Sequence, residues 1–288
     1  MSLTKKKIDI TITLAEGQFG ETAGNQVKLT GLRVSAEIQS YGGESQPQAQ
    51  LRIFGVPLSI INQITAIGPI NSAILFKNSV LVEAGDDETG MRTVYQGSIW
   101  QAWGEFDQQP YTPLNIIGLG GLDYSLSPAK PTSIQGAADV AELMRGFANT
   151  MGLAFENNGV SVQLSHPYLQ GSLMNQVKDC AEAADINYVI DRGTLAIWPA
   201  DGTRPEPEPP LISPTTGMVG YPKFASNGLM VSAYFNPNFK IGGVVTVESQ
   251  IQAACGNWRV LQLTHSLASE TPSGPWFSNL MGVPNYVD

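Results

Sequence analysis

Two histidines, His166 in "LSHPYLQG" and His265 in "LQLTHSLAS", are the only imidazoles in the 288-residue sequence. Neither has a Cys, Asp or Glu nearby at ligand spacing, and a zinc site needs three or four such groups. A nucleophilic serine would need a strained turn to present it, and the sequence has no G-x-S-x-G elbow. Both histidines are therefore expected to be structural or surface residues. Carboxylate pairs are the next candidates, because glycoside hydrolysis needs only two. Asp86, Asp87 and Glu88 crowd into "DDETG", where acidic residues serve turn geometry and solubility. Glu105 and Asp107 follow Trp100, Trp103 and Phe106, a grouping that would suit a sugar platform. The competing expectation is that these aromatics fill a core or a subunit seam. "GLGGLDYS" has closely spaced glycines, but no helix is expected to open behind them, so a dinucleotide loop is rejected. No catalytic, cofactor-binding or metal-binding residue is assigned, and no cofactor is expected.

The bulk composition agrees with a scaffold. Hydrophobic residues make up 42% of the chain, an ordinary share, while charged residues make up 14%, well below the usual ~25%. A weakly charged surface rich in Gln, Asn, Ser and Thr suits coverage by other subunits. The net charge of -9 argues against a sequence-independent grip on nucleic acid. Lys5-Lys6-Lys7 is the only basic run and is expected to be a solvated tail. Cys180 and Cys255 make neither a disulfide framework nor a zinc site, and Cys180, on an apolar helical stripe, is expected to be a buried free thiol. No apolar stretch approaches the ~20 residues of a membrane span, and the N-terminus lacks a signal-like apolar region. A soluble protein made in a reducing cytoplasm is expected.

The elements that must position these residues fall into three stretches. Ile8, Ile10, Ile12 and Leu14 alternate with polar residues, as do Leu32, Val34, Ala36 and Ile38, then Leu51 and Ile53 after a Gly42-Gly43 turn. Leu58, Ile61 and Ile64 predict a short helix after Pro57. "SVLVEAG", "RTVYQGSIWQAWGEF" and "PLNIIGLGG" read as further strands, with "DDETG" closing a hairpin. Many short strands with regular turns predict a small barrel or sandwich.

The middle is different. Val140, Leu143, Met144, Phe147 and Met151 form one helical stripe ended by Gly152. "LAFENNGVSVQL" predicts a hairpin around Asn158-Gly159. Ser172 is a plausible N-cap for a second helix with Leu173, Val177, Cys180 and Ala184 on its stripe. "INYVIDRGTLAIWP" predicts another hairpin around Asp191 to Gly193. Helix then hairpin, twice over, reads as an internal quasi-repeat that could stay partly folded alone. "RPEPEPPLISP" is expected to be extended, as a linker or crossing segment. Strands return in "GLMVSAYF", "KIGGVVTVES" and "CGNWRVLQLTHSLASETPSGPWFSNLMGV". In the last of these, large apolar residues fall on both faces, the pattern of a strand covered by a core on one side and by a partner on the other.

"GMVGYPKFASNGLMVSAYFNPNFKIGGVVTVES", followed by "GNWRVLQLTHSLASETPSGPWFSNLMGV", resembles baseplate hub proteins of contractile-tailed bacteriophages. The shared features are a Gly-Tyr-Pro opening, an Asn-Pro turn before "KIGG", a "VTVES" strand and the closing W-R-V…T-H-S-L…G-P-W-F hairpin. "MNQVKDCAEAADINYVIDRGTLAIWP" is similar to the hub's small helix–hairpin domain. The likeness covers residues 133–288 well, and the first 130 residues by architecture alone.

The resemblance implies a β-rich α+β fold, with two tail-tube-like β-barrel domains and a small α/β (helix–hairpin) domain between them. The expected boundaries are 1–130 for the first barrel, 131–202 for the α+β domain, 203–212 for a Pro-rich linker and 213–288 for the second barrel. It also implies a homotrimer whose six barrels adapt a sixfold tail tube, or its initiator protein, to a threefold central spike. Such a hub sits in the virion's tail baseplate after assembly in the host cytoplasm, without stable membrane insertion. DNA would pass through its channel without specific binding, and the tape measure protein is a further candidate occupant of that lumen. Excess carboxylates in the lumen would repel phosphate. Trp100, Trp103, Trp258 and Trp276 are the candidate core or subunit-seam residues. The alternatives are a carbohydrate-binding β-module, with Trp100 and Trp103 as its platform, and a cell-wall-degrading tail enzyme.

Overall fold

Strict alternation in "KIDITIT" makes β1 (Lys7–Thr13), which buries Ile8, Ile10 and Ile12 and turns its polar residues outward. The same period builds β2 (Gln26–Leu29), β3 (Val34–Tyr41), β4 (Gln48–Ile53), β5 (Ser79–Asp86), β6 (Gly90–Gly104) and β7 (Leu114–Leu119). Helix α1 (Leu58–Ile64) follows Pro57 and buries Ile61 and Ile64, while Leu58 stays exposed. The computed structural model describes residues 4–20, 24–42, 45–65, 78–107 and 109–285. Gly43 of the expected Gly42-Gly43 turn lies outside the described residues.

The chain forms two units, one of Met1–Gln39, Pro47–Leu122 and Thr264–Phe277, the other of Ser40–Gln46, Asp123–Leu263 and Ser278–Asp288. In the first, the strand order is β2-β1-β5-β6-β7-β4-β3. The β5–β6 hairpin turns at "DDETG" because Asp86 holds it. Its Oδ1 accepts from the backbone N–H groups of Glu88 (3.1 Å) and Thr89 (2.7 Å) and from Thr89 Oγ1 (2.8 Å). Its Oδ2 accepts from Lys6 Nζ at 2.7 Å and Thr4 Oγ1 at 3.0 Å. The Lys6 bond, then those from Thr89, hold the Asp86 carboxyl far below the usual carboxylate range.

The glycines of "GLGGLDYS" serve packing. A Cβ on Gly118 would lie 2.8 Å from Tyr95 Oη, one on Gly97 2.3 Å from it, and one on Gly120 3.2 Å from Pro47. A five-residue helix, α2 (Leu122–Leu126), does open behind these glycines, contrary to expectation. Gly121, at φ 74°, makes the sharp turn into it. Tyr95 itself is buried, its hydroxyl has no hydrogen-bond partner among the described residues, and burial raises its pKa well above the ordinary range. Tyr95→Phe removes that stranded hydroxyl, and a urea melt is expected to show a gain of about 1 kcal/mol. A loss of similar size would mean the hydroxyl is satisfied.

In the second unit, β8 (Thr132–Ser133) and β9 (Ala137–Asp139) precede α3 (Val140–Thr150). Asp139 caps α3 by accepting from Glu142 N–H, and the stripe Val140, Leu143, Met144, Phe147 and Met151 is buried. Next come β10 (Ala154–Asn157), β11 (Gln163–Ser165), β12 (Tyr168–Leu169) and α4 (Leu173–Ala183). Ser172 caps α4 through Asn175 N–H, as the sequence predicts. Cys180 is fully buried on the α4 stripe, and burial pushes its thiol up to about 11.

The hairpin expected around Asn158-Gly159 does not form. Gly159 does turn the chain, at φ 92°, and Asn157 brackets the turn by bonding both backbone groups of Val160. However, β10 then pairs in parallel with β14 (Thr194–Pro199), while β11 pairs antiparallel with β9. Each arm finds a better partner elsewhere, so the helix–hairpin quasi-repeat is lost. The second hairpin does form: β13 (Ile186–Asp191) pairs with β14 through Arg192 and Gly193, both at positive φ, the geometry of a type I′ turn.

Both faces of the β13–β14 hairpin are buried. Tyr188, Ile190, Leu195 and Ile197 pack into the helical core with Met144, Phe147, Val177 and Cys180. Val189, Ala196 and Trp198 join a second core with Ile212, Leu229, Trp258, Val260 and Leu280. That core is built on β15 (Leu211–Ile212), β16 (Lys223–Ala225), β17 (Gly228–Tyr234), β18 (Val244–Val247), β19 (Gly256–Ser269) and β20 (Trp276–Pro284). Its ladder runs β16-β17-β20-β19-β18-β15.

β19 contributes to both units, and its buried positions change parity between Val260 and Leu263. Trp258, Val260 and Leu263 are buried in the second unit, and His265 and Leu267 in the first. Among the described residues, no helix is long and apolar enough to cross a membrane. The architecture is β-rich α+β.

Candidate functional site

The two histidines fall in different units. His166 is exposed, at φ 50°, with Nδ1 3.0 Å from Ser165 Oγ. His265 is buried in the other unit. Among the described residues, no group of three or more His, Cys, Asp or Glu could hold a metal. Glu105 is committed to an ion pair. Its Oε2 accepts from Arg52 Nη2 at 2.9 Å and from Asn115 Nδ2 at 3.3 Å.

The tryptophans divide. A bulge in the β6–β7 ladder, where Ile99 faces Gly118 and Gln101 faces Ile117, leaves Trp100 as the extra residue. It is 37% exposed, and Trp103, opposite Asn115, is 40% exposed. Phe106 and Tyr111 are exposed in the same unit. The β5 ladder ends at Ser98, and beyond it the Ile99 N–H donates to Asn78 O at 2.7 Å. Trp258 is buried, and its Nε1 donates to Ala254 O at 2.9 Å. Trp276 is half-buried, with Lys6 Nζ 6.0 Å from its ring centre.

Two features carry no local signal. Trp198 is buried against Gly242, where a Cβ would lie 2.7 Å from its ring and φ is 76°. The second is Arg204, inside the proline-dense stretch. Its side chain is 5% exposed and grips Glu156 with two bonds, Nη2 to Oε2 at 2.8 Å and Nε to Oε1 at 3.1 Å. It also donates from Nη1 to Ile241 O at 3.1 Å. Nearby, Lys240 Nζ lies 2.6 Å from Glu206 Oε1. Together with the pairing of Leu211 and Ile212 to β18, these bonds pin the segment.

Burial alone would raise the Glu156 pKa, but the Arg204 bonds, Asn158 and Lys240 outweigh it and bring it down to about 2. The carboxylate therefore stabilises the fold above its unfolded value, 4.5, and loses that contribution as pH falls through about 2. Arg204→Leu is expected to flatten the acid limb of a pH–stability curve in that window. An unchanged limb would assign acid sensitivity to other groups.

The fold is β-rich α+β, with Trp100, Trp103, Phe106 and Tyr111 exposed in the first unit. The chain belongs to the baseplate hub gp41 family, whose model matches residues 8–276. No curated protein matches the sequence. Among solved structures, it is similar to the tail protein of Neisseria meningitidis MC58, with TM-score 0.64, 8% identity and 96% and 97% of the two chains covered. It is also similar to the 43 kDa tail protein of prophage MuSo2 from Shewanella oneidensis, with TM-score 0.62, 11% identity and coverage of 96% and 97%. A type VI secretion component of E. coli, described as structurally similar to T4 tail proteins gp27 and gp5, gives TM-score 0.59 at 9% identity. That match covers 88% of this chain and 73% of the other. The fold is that of tail-hub proteins, and the chain is a structural protein family member of the phage tail baseplate.

Proposed function

We propose that this chain is a homotrimeric baseplate hub that joins a sixfold tail tube above to a threefold central spike below. Its ring forms part of the DNA-ejection channel, and it is assembled in the host cytoplasm without enzymatic activity. The observation that carries this reading is the family match over residues 8–276. The division into 1–130, 131–202, 203–212 and 213–288 belongs to the same proposal. The half-buried Trp276 and the exposed Trp100 and Trp103 are assigned to subunit seams, and Trp258 to the core. The exposure of Trp100 and Trp103 supports a seam, since aromatic anchors are enriched in protein interfaces. Closing a ring of identical chains would cover such side chains. Electron microscopy of assembled baseplates tests the stoichiometry: three copies between tube and spike are expected, and six would overturn it.

The exposed set Trp100, Trp103, Phe106 and Tyr111 favours one second reading, a glycan-binding surface. Glycan-array binding lost in Trp100→Ala and Trp103→Ala would support that reading over a seam. Hydrolysis of peptidoglycan by the purified protein would instead revive the enzyme alternative.

A further inference from the structure

Two guanidiniums approach the Phe54 ring, and only one of them has its own carboxylate. Phe54 N–H donates to Arg33 O at 2.9 Å, so the two residues are cross-strand neighbours just beyond the paired ends of β3 and β4. The Arg33 guanidinium carbon stacks 3.9 Å from the Phe54 ring centre, and that of Arg52 lies 5.5 Å from it. Arg52 is paired, its Nη2 donating to Glu105 Oε2 at 2.9 Å. Arg33 is exposed, and among the described residues no carboxylate or other acceptor meets its guanidinium. The exposed Trp103 shares a sheet row with Arg52, one strand beyond Asn115.

A guanidinium laid on an aromatic ring holds its planar fork in place with its edge free, so an arriving carboxylate loses little entropy in forming two bonds. Arg, Phe and Trp close together on one exposed face are also the composition of interface hot spots. A polyanion is a poorer fit, because the chain's net charge of -9 repels it. A closed ring of three is joined by heterologous contacts, in which one face of a copy meets a different face of the next. The second unit supplies such a face, where Leu211, Tyr221, Phe224 and Met230 are exposed. Glu248 sits among them. Its N–H donates to Ile212 O at 3.0 Å, next to Leu211, and two positions on, Gln250 Oε1 accepts from Tyr221 Oη at 3.2 Å. Glu248 is exposed and has no ion pair among the described residues. One aromatic face thus carries a spare arginine and the other a spare carboxylate, which makes them complementary in charge. We propose that Arg33, held on Phe54, anchors one copy to the next by gripping Glu248 of the neighbouring copy. The inference rests on the homotrimer reading above and names the contact that closes the ring.

The test compares full-length wild type with Arg33→Glu, Glu248→Arg, the two changes combined, and Arg145→Glu. The last alters an exposed arginine that lies 5.4 Å from the Phe155 ring but is already paired with Glu142. Association is followed by sedimentation over a concentration series at low and high salt, with the spike added throughout if wild type needs it to trimerise. A circular dichroism melt checks each fold, and Arg33→Gln replaces a reversal that disturbs the melt, with a loss in the same direction expected. Each single reversal should raise the half-association concentration about tenfold or more, because like charges then face each other. The combined variant restores opposite charges in swapped positions and should return to within about threefold of wild type. Arg145→Glu should associate as wild type does. Equal association by Arg33→Glu and wild type overturns the inference, as does a combined variant no better than the weaker single. With a wild type that trimerises, either result leaves the hub reading standing. A wild type that stays monomeric even with its spike overturns both.

Discussion

Deleting the chain from Gly256 onward is expected to abolish cooperative unfolding throughout the protein, including its helix-bearing middle. The deletion removes β19 and β20, which contribute to both compact units. The second unit loses Trp258, Val260, Leu263 and Leu280 from the core that covers one face of the β13–β14 hairpin. The other unit loses Leu267 and the bond from Ser269 Oγ to Leu32 O. Truncating one buried tryptophan costs about 3–5 kcal/mol, a large share of a domain stability of about 5–15 kcal/mol. Losing two strands besides exceeds that reserve. A helical core standing alone would leave a residual cooperative melt by circular dichroism. Such a melt would show that α3, α4 and their sheet are independent of the second core.

The second large effect is expected at Trp198. Replacing it by Ala should destabilise the protein by about 3–5 kcal/mol. The indole is buried in the second core and fills the space beside Gly242. A cavity there loosens the layer shared by Trp198, Val189 and Ala196, whose opposite face is the helical core. Chemical denaturation is the readout, and a change below about 1 kcal/mol, the size of an ordinary surface substitution or less, would mean that the two cores are not coupled through this hairpin.

Trp198 also shows where sequence pattern stops. Its strand reads "TLAIWP", apolar at consecutive positions, which fits a strand buried on both faces but not which core each face meets. Local chemistry was easier to read. The alternation of β1, the Ser172 cap, the stripe of α3 and the turn at Arg192-Gly193 each depend on residues within a few positions of one another. The turn at Asn158-Gly159 was equally legible, but the partners of its two arms were not, because pairing with Thr194–Pro199 and Ala137–Asp139 is decided by distant chain. Arg204 follows the same rule. Proline density predicted an extended segment, and nothing beside Arg204 announces a bidentate partner 48 positions away. The parity change in β19 is likewise invisible locally.

The exposed Trp100 and Trp103 suit burial by a neighbouring subunit, as the proposed hub assembly requires. The mass of the purified protein in solution, followed by sedimentation as concentration rises and again with its spike added, tests that account most directly. The hub account predicts three chain masses of 30.8 kDa each, alone or with the spike. A mass that stays at one chain under both conditions would contradict it.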